Sequence, residues 1–181
     1  MSTPDDAVLI RQCLEGDSGA FGALIDRYQR PLYNTALRMT GDSEEARDIT
    51  QDAFVKAYEQ LRNYRPEHKF FSWIYRILMN DALNHLKQRK QTRALDANMA
   101  SHERLPDEEF DARRQSKRIE KALRELSFDQ RVVIVMRYFN DMSYLEMSTI
   151  LSLPEKTVKS RLYSARQNLS VVLSQMGAMP I

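Results

Sequence analysis

Three stretches of this chain open with the same pairing, a short polar residue three positions ahead of Glu or Gln: Asp42 with Glu45, Ser127 with Gln130 and Ser143 with Glu146. The first residue of such a pair can accept hydrogen bonds from the unpaired N–H groups of a first helical turn, and the second can reach back to the cap. After Asp42 the apolar residues Ala46, Ile49, Ala53, Phe54, Ala57 and Leu61 recur at helical spacing, which makes one continuous stripe. Only 5 Gly and 6 Pro interrupt 181 residues, and runs of alternating β-branched residues are few. The expected fold class is therefore all-α, with enough chain for one domain or two small ones.

The remaining helices follow from the same signals. One is expected over 5–15, closed by Gly16. A second starts after Asp17, carries Phe21, Leu24, Ile25, Tyr28, Leu32, Ala36 and Leu37 on one face, and stops at Gly41. Pro31 should bend or interrupt it, because proline lacks the helical N–H and clashes with the preceding turn. A loop around 63–69 leads to a helix from about Ser72 to Gln91. Helices near 113–126 and 128–139 precede a short pair at 144–151 and 155–169.

Overall charge is uninformative, with 27 Lys and Arg against 25 Asp and Glu. Its distribution is not. Residues 1–61 carry a net charge of −5, residues 62–93 carry +6, residues 94–115 carry −3, and residues 151–170 carry +3. The acidic stretch beyond 93 is poor in periodic apolar residues and contains Pro106, so it reads as a linker. Two basic islands thus fall in two helical modules.

Several function classes have no support in the sequence. A single cysteine, Cys13, leaves no internal disulfide and no cysteine-clustered zinc site. His68, His85 and His102 lack metal-ligand spacing, and Cys13 has no nucleophile context. No glycine-rich phosphate loop occurs, so no cofactor and no catalytic residue are expected. No apolar run approaches the roughly 20 residues that span a bilayer, and the N-terminal flanks are acidic. The expected location is the cytoplasm.

The pair at 144–151 and 155–169, broken at Ser152, Leu153 and Pro154, has the length of a helix-turn-helix whose second helix enters the major groove. Val158, Leu162, Ala165 and Leu169 must face a core. Lys156, Thr157, Lys159, Ser160, Arg161 and Ser164 are left for solvent or DNA, a set suited to phosphates and base edges. An ordinary helical hairpin with a solvated basic face fits the same pattern.

In the helix from about Ser72, Ile74, Ile77, Leu78, Ala82 and Leu86 make the core stripe, while Trp73, Arg76, Asn80, Asn84 and Lys87 share another face. Aromatic rings stack on bases, amides read base edges and cations hold phosphate, a combination suited to unpaired nucleotides. The basic tail Lys87, Arg89, Lys90 and Arg93 strengthens that reading for the group. Taken one at a time, Trp73, Phe70 and Phe71 read better as anchors for the preceding loop, which runs from Arg62 to Lys69. A third feature is the polar stripe Asp48, Gln51, Asp52 and Lys56, which spacing alone does not distinguish from a solvated face.

The segments Asp48-Ile-Thr-Gln51-Asp52-Ala-Phe54-Val-Lys56-Ala-Tyr58, Phe70-Phe-Ser-Trp73-Ile-Tyr-Arg76-Ile and Leu126-Ser-Phe-Asp-Gln-Arg131-Val-Val-Ile, taken in order, resemble the extracytoplasmic-function (ECF) sigma factors of bacterial RNA polymerase, within the sigma-70 superfamily. Ser143-Tyr-Leu-Glu146-Met and Leu153-Pro-Glu-Lys-Thr157-Val-Lys159-Ser160-Arg161-Leu-Tyr163-Ser-Ala-Arg166 match the same family, so the likeness spans almost the whole chain. It implies two small helical domains, residues 1–93 and 113–181, joined by a flexible acidic linker over 94–112. The second is a helix-turn-helix.

The resemblance also implies partners. Asp48, Gln51, Asp52, Phe54 and Lys56 would face the β′ clamp helices of core RNA polymerase, with the β flap as a further contact. Asn63, Tyr64, Lys69, Trp73, Arg76, Asn80, Asn84 and Lys87 would meet melted minus-ten promoter DNA, with the loop at 63–70 and Asn80 capturing a flipped base. Lys156, Thr157, Lys159, Ser160, Arg161, Tyr163 and Arg166 would face the minus-thirty-five duplex. An anti-sigma factor, often membrane-bound in this family, is a further implied partner. Ser164 departs from the arginine that many members carry, so promoter preference does not transfer from relatives. The competing expectation is a stand-alone helix-turn-helix regulator that binds paired half-sites as a dimer. A helical interaction module would leave both basic islands unexplained.

Overall fold

The computed structural model describes residues 5–67, 69–95 and 111–177. The element order is α1 (Asp6–Leu14), α2 (Ser18–Thr40), α3 (Ser43–Glu59), a 3-10 turn (Leu61–Asn63), α4 (Phe70–Leu95), α5 (Asp111–Glu125), α6 (Phe128–Tyr138), α7 (Tyr144–Leu151) and α8 (Glu155–Gln175). No strand occurs among the described residues. Most of the expected linker, residues 96–110, and His68 of the basic loop lie outside them. The helices reach into both ends of the stretch assigned to the linker, to Leu95 on one side and from Asp111 on the other.

The caps act largely as expected. The Asp42 carboxylate accepts from the N–H groups of Glu44 and Glu45 at 2.9 and 3.0 Å. Ser143 and Glu146 form the full reciprocal box, with Ser143 N donating to Glu146 Oε2 at 2.9 Å and Glu146 N donating to Ser143 Oγ at 3.2 Å. Ser127 accepts from Gln130 N at 3.4 Å. Gly41 ends α2 in the left-handed region at φ 76°, and its N–H donates to Leu37 O at 2.7 Å.

Pro31 departs from expectation: α2 runs through it for 23 residues without interruption. An internal proline costs about 3 kcal/mol in an exposed helix. Here α2 packs against α1, α3 and α4, and the buried Leu24, Leu32, Thr35, Ala36 and Met39 on both sides of Pro31 hold the helix in place. Two other boundaries shift. Phe70, fully buried, draws the start of α4 forward to itself, and buried Leu173 carries α8 on to Gln175 rather than ending it near 169.

The buried apolar residues form one cluster that runs from Leu9 through α2, α3 and α4 into α6, α7 and Ala165 of α8. The N-terminal group (α1–α4) and the C-terminal group (α5–α8) are therefore packed on each other, α2 meeting α5 and α6, and α4 meeting α7. Arg131, only 8% exposed, is the polar pin of this junction. Its guanidinium donates to the carbonyls of Leu123, Arg124 and Leu126 within its own group and reaches across to the Met39 carbonyl of α2. That arrangement satisfies the last carbonyls of α5 and of α2 together.

Candidate protein and nucleic-acid interfaces

On α3 the apolar stripe Ala46, Ile49, Ala53 and Ala57 is fully buried against α2 and α4, which turns Asp48, Gln51 and Asp52 outward. The other two residues of the set behave differently. Phe54 is buried, edge-on to Phe21 with ring centroids 6.4 Å apart. Lys56 bends across to α4, where its Nζ lies 2.5 Å from Asp81 Oδ1.

Beside the polar stripe, α2 and α3 leave an open groove of about 910 Å3 lined by Phe21, Ile25, Tyr33, Phe54, Val55 and Tyr58. Val55 and Tyr58 are half exposed, at 49% and 50%. Sequence reasoning missed this surface. The available signal was that Val55 and Tyr58 are large apolar residues standing off the core stripe.

The loop before α4 is held by an aromatic cluster. Tyr64 stands edge-on to Phe70 and Trp73, with centroids 5.8 and 5.4 Å apart, and Phe70 and Trp73 are 5.7 Å from each other. Tyr28 of α2 closes the cluster at 5.8 Å from Phe70. Desolvation in this packing pushes the Tyr64 hydroxyl pKa upward. Trp73 is half-buried in this cluster, whereas Asn63, Asn80, Asn84 and Lys87 are exposed. Lys69 and Arg76 are also on the surface but are engaged: Lys69 Nζ lies 2.6 Å from Glu146 Oε1, and the Arg76 guanidinium donates to the Thr149 carbonyl. Together with the two bonds from Ser143, the Lys69 ammonium holds the Glu146 carboxyl down at about 2, Lys69 making the larger contribution. Of the basic tail, Arg89 sits 3.3 Å from Glu45 of α3.

In the C-terminal group the turn between α7 and α8 is fixed by Ser152, which is left-handed at φ 53°, and by Ser148, whose hydroxyl donates to Leu153 O at 2.6 Å. Val158, Leu162 and Ala165 are buried and Leu169 is half-buried, as the spacing predicts. That fixes the outer face of α8. Lys156, Thr157, Lys159, Ser160, Tyr163, Ser164 and Arg166 are exposed, and Tyr163 stands out at 66%. Arg161 lies on the flank instead, 3.4 Å from Asp129 of α6. Lys159 leans between Glu155, at 3.5 Å, and the Tyr144 ring, 5.2 Å from its centroid.

The all-helical fold, with a cationic, amide-bearing helix in one half and a helix-turn-helix in the other, has the parts of a promoter-recognition protein. Sequence comparison gives the same division: Sigma-70 region 2 matches residues 24–92 and Sigma-70, region 4 matches residues 116–169. The ECF RNA polymerase sigma factor SigW of Bacillus subtilis is 32% identical over 172 residues, covering 88% of this chain and 92% of SigW. The RNA polymerase sigma-H factor of Pseudomonas aeruginosa is 30% identical over 189 aligned positions, covering 97% of each chain. Among solved structures, CnrH in complex with the cytosolic domain of CnrY superimposes with a TM-score of 0.72 at 28% identity, covering 94% of this chain and 97% of CnrH. The chain belongs to the ECF sigma factors of bacterial RNA polymerase.

Proposed function

We propose that this chain joins core RNA polymerase as a non-catalytic initiation subunit, directs it to particular promoters and helps to melt the minus-ten region. The observation that carries this is the order of parts on one chain: a region 2 match over α2–α4 is followed by a region 4 match that ends on the exposed polar face of α8. A dimeric helix-turn-helix regulator has no use for the first half of that order and is not favoured.

In this reading residues 1–93 and 113–181 are the two working domains, with 94–112 between them. Asp48 and Asp52, with the amide of Gln51 between them, offer a polar, acidic row to the β′ clamp helices, with Phe54 shaping the adjoining groove and Lys56 holding α3 to α4. The C-terminal group meets the β flap. Asn80 and Asn84 can each present a donor and an acceptor to an unpaired base. Lys87, Arg76 and Lys69 supply charge to the backbone, and Asn63 and Tyr64 border the site. Lys156, Thr157, Lys159, Ser160, Tyr163 and Arg166 face the minus-thirty-five duplex, and Arg161 adds charge from its flank.

No helix among the described residues is long and apolar enough to cross a membrane. We place the protein in the cytoplasm, held near the inner membrane when an anti-sigma factor captures it. CnrH was solved with a protein partner, which supports capture of this chain by one as well. Transcription in vitro with purified core polymerase and a library of genomic fragments tests the function. Discrete start sites that depend on the added chain are expected, and their absence would reject it.

A further inference from the structure

We infer that helix α1 is a working part of the minus-ten apparatus, with Asp6 as a positioning residue that sets the loop at 63–70 through the Tyr28 ring. The inference rests on the minus-ten reading of that loop given above. Helix α1 lies ahead of the stretch that matches Sigma-70 region 2, which begins at residue 24, so the family match assigns it no task.

Asp6 stands in the first turn of α1, where an acid ordinarily serves the unpaired N–H groups and the dipole of its own helix. Here both carboxylate oxygens are engaged by α2. Oδ1 accepts from the Arg27 guanidinium, and Oδ2 accepts from the Tyr28 hydroxyl at 2.5 Å. Burial first, and the Asp6 charge beside it, push the Tyr28 hydroxyl up to about 12, so it stays protonated and donates throughout the neutral range. Two consecutive residues of α2 thus divide one carboxylate between an ionic anchor and a hydrogen-bonded tether.

The tether leads to the loop. The Tyr28 ring lies 5.8 Å from Phe70 and 5.5 Å from Phe71, the two residues at which α4 begins. Phe70 in turn meets Tyr64 and Trp73. The other end of the loop is reached directly, because α1 packs against the 3-10 turn Leu61–Asn63. After desolvation, the charges of Asp6 and Asp5 add to the upward push on the Tyr64 hydroxyl, which places the start of α1 beside the loop as well. One helix therefore bears on both ends of the segment.

A loop that must receive a base gains from being ordered beforehand, since ordering it on binding would cost conformational entropy. A packed ring alone leaves its tilt to its neighbours, whereas a ring whose hydroxyl is fixed on a carboxylate is also held at its far end. The buried Leu9 and Ile10 already hold α1 on α2. What the second oxygen of Asp6 adds is the orientation of Tyr28.

Trp73 is the only tryptophan of the chain, so its fluorescence reads this cluster without a label. Tyr28→Phe keeps the ring and removes the hydroxyl, and Asp6→Asn removes the charge. In the free full-length chain each should shift the Trp73 emission to longer wavelength and raise its quenching by acrylamide. In holoenzyme at saturating core, each should weaken binding of a single-stranded oligonucleotide spanning the minus-ten element of a promoter recovered from the fragment library. The expected loss is about five-fold, the ratio that corresponds to one ordinary hydrogen bond. The double variant should do no worse than either single one, since both cut the same link. Arg27→Met removes the anchor and keeps the tether, so it should lower the unfolding midpoint and leave Trp73 emission and oligonucleotide binding unchanged.

Unchanged Trp73 emission in both Tyr28→Phe and Asp6→Asn would overturn the link from α1 to the loop. Equal effects of Arg27→Met on emission and binding would reduce Asp6 to an anchor and overturn its positioning role. So would changed emission with normal oligonucleotide binding, provided that the combined Asn80→Ala, Asn84→Ala chain binds weakly. Normal binding by that chain too would instead reject the minus-ten assignment, while the emission, read without DNA, still judges the link.

Discussion

Lys56 and Asp81 tie α3, which carries the outward row of acids, to α4, which carries the amides and cations. The Lys56 ammonium is 2.5 Å from Asp81 Oδ1, and the second carboxylate oxygen, Oδ2, is buried with no hydrogen-bond partner among the described residues. The lysine side chain is 44% exposed and the aspartate 9%. The two partners are therefore unequal: the buried one depends on the exposed one.

That inequality predicts an order of effects. Lys56→Met strands a buried carboxylate and should cost about 2 kcal/mol, below the value for a fully buried pair because the lysine end is already hydrated. Asp81→Asn leaves only an exposed lysine free to meet water, and should cost less. Urea denaturation of both variants checks the order. Equal losses would mean that the buried carboxylate depends on its partner no more than the exposed ammonium does.

Core docking should depend on charge at the row and on shape beside it. Asp48→Lys combined with Asp52→Lys should weaken binding of core polymerase while leaving helicity unchanged, since both side chains are exposed. Val55→Glu, which places a charge at the lip of the apolar groove, should weaken it further if the groove is part of the same contact. Fluorescence titration with core polymerase measures both, alongside circular dichroism.

The helices were legible in the sequence because caps and 3.6-residue periodicity are local signals. The box at Ser143, the stop at Gly41 and the inward set of α8 all follow from residues within a few positions of each other. What escaped was long-range. Nothing near Arg131 announces the Met39 carbonyl, and nothing near Asn140 announces the Tyr75 hydroxyl, so the packing of the two groups had no local signature. The engagement of Lys69 by Glu146 and of Arg76 by Thr149 has no local signature for the same reason. Pro31 misled because its cost is local, whereas the packing that offsets it comes from α1, α3 and α4.

On α8 the flank position of Arg161 predicts a division of labour. Lys159→Ala and Arg166→Ala remove outward cations. Each should either cost about 1–3 kcal/mol at one promoter position, if it reads a base, or lower the salt slope across all sequences, if it holds a phosphate. Arg161→Ala should have the smaller effect on binding, because its partner is Asp129. Anisotropy titrations of minus-thirty-five duplexes over a range of salt concentrations distinguish these outcomes.

Acid should loosen the α4–α7 contact. Glu146 titrates at about 2 in the folded chain against an ordinary value of 4.5, so its contribution is fully present above about 4.5 and is lost as the pH falls toward 2. The groups facing it are Lys69 and the Ser143 N–H and hydroxyl. Energy transfer between one dye placed on α1 and one placed on α8 should fall over that window in the otherwise native chain, and Glu146→Gln should remove that part of the pH dependence. An identical profile in both would assign the transition to other carboxylates.

Promoter melting should separate Asn80 from Trp73. Pulling a base out of the stack costs a few kcal/mol, so the site that receives it must return both stacking and hydrogen bonds. Asn80 is exposed on α4 and offers a donor and an acceptor, whereas Trp73 is held between Tyr64 and Phe70 and stabilises the loop. Asn80→Ala should cut open-complex formation on duplex promoters, spare core binding, affect a premelted template less and alter preference at one minus-ten position. Trp73→Ala should instead lower the unfolding midpoint and weaken opening without changing base preference, because it acts through the loop. Permanganate footprinting on duplex and premelted templates, run beside thermal denaturation, distinguishes the two. Normal opening by Asn80→Ala with unchanged base preference would remove Asn80 from the capture site and leave Asn84, one turn further along the same exposed face, as the amide to test.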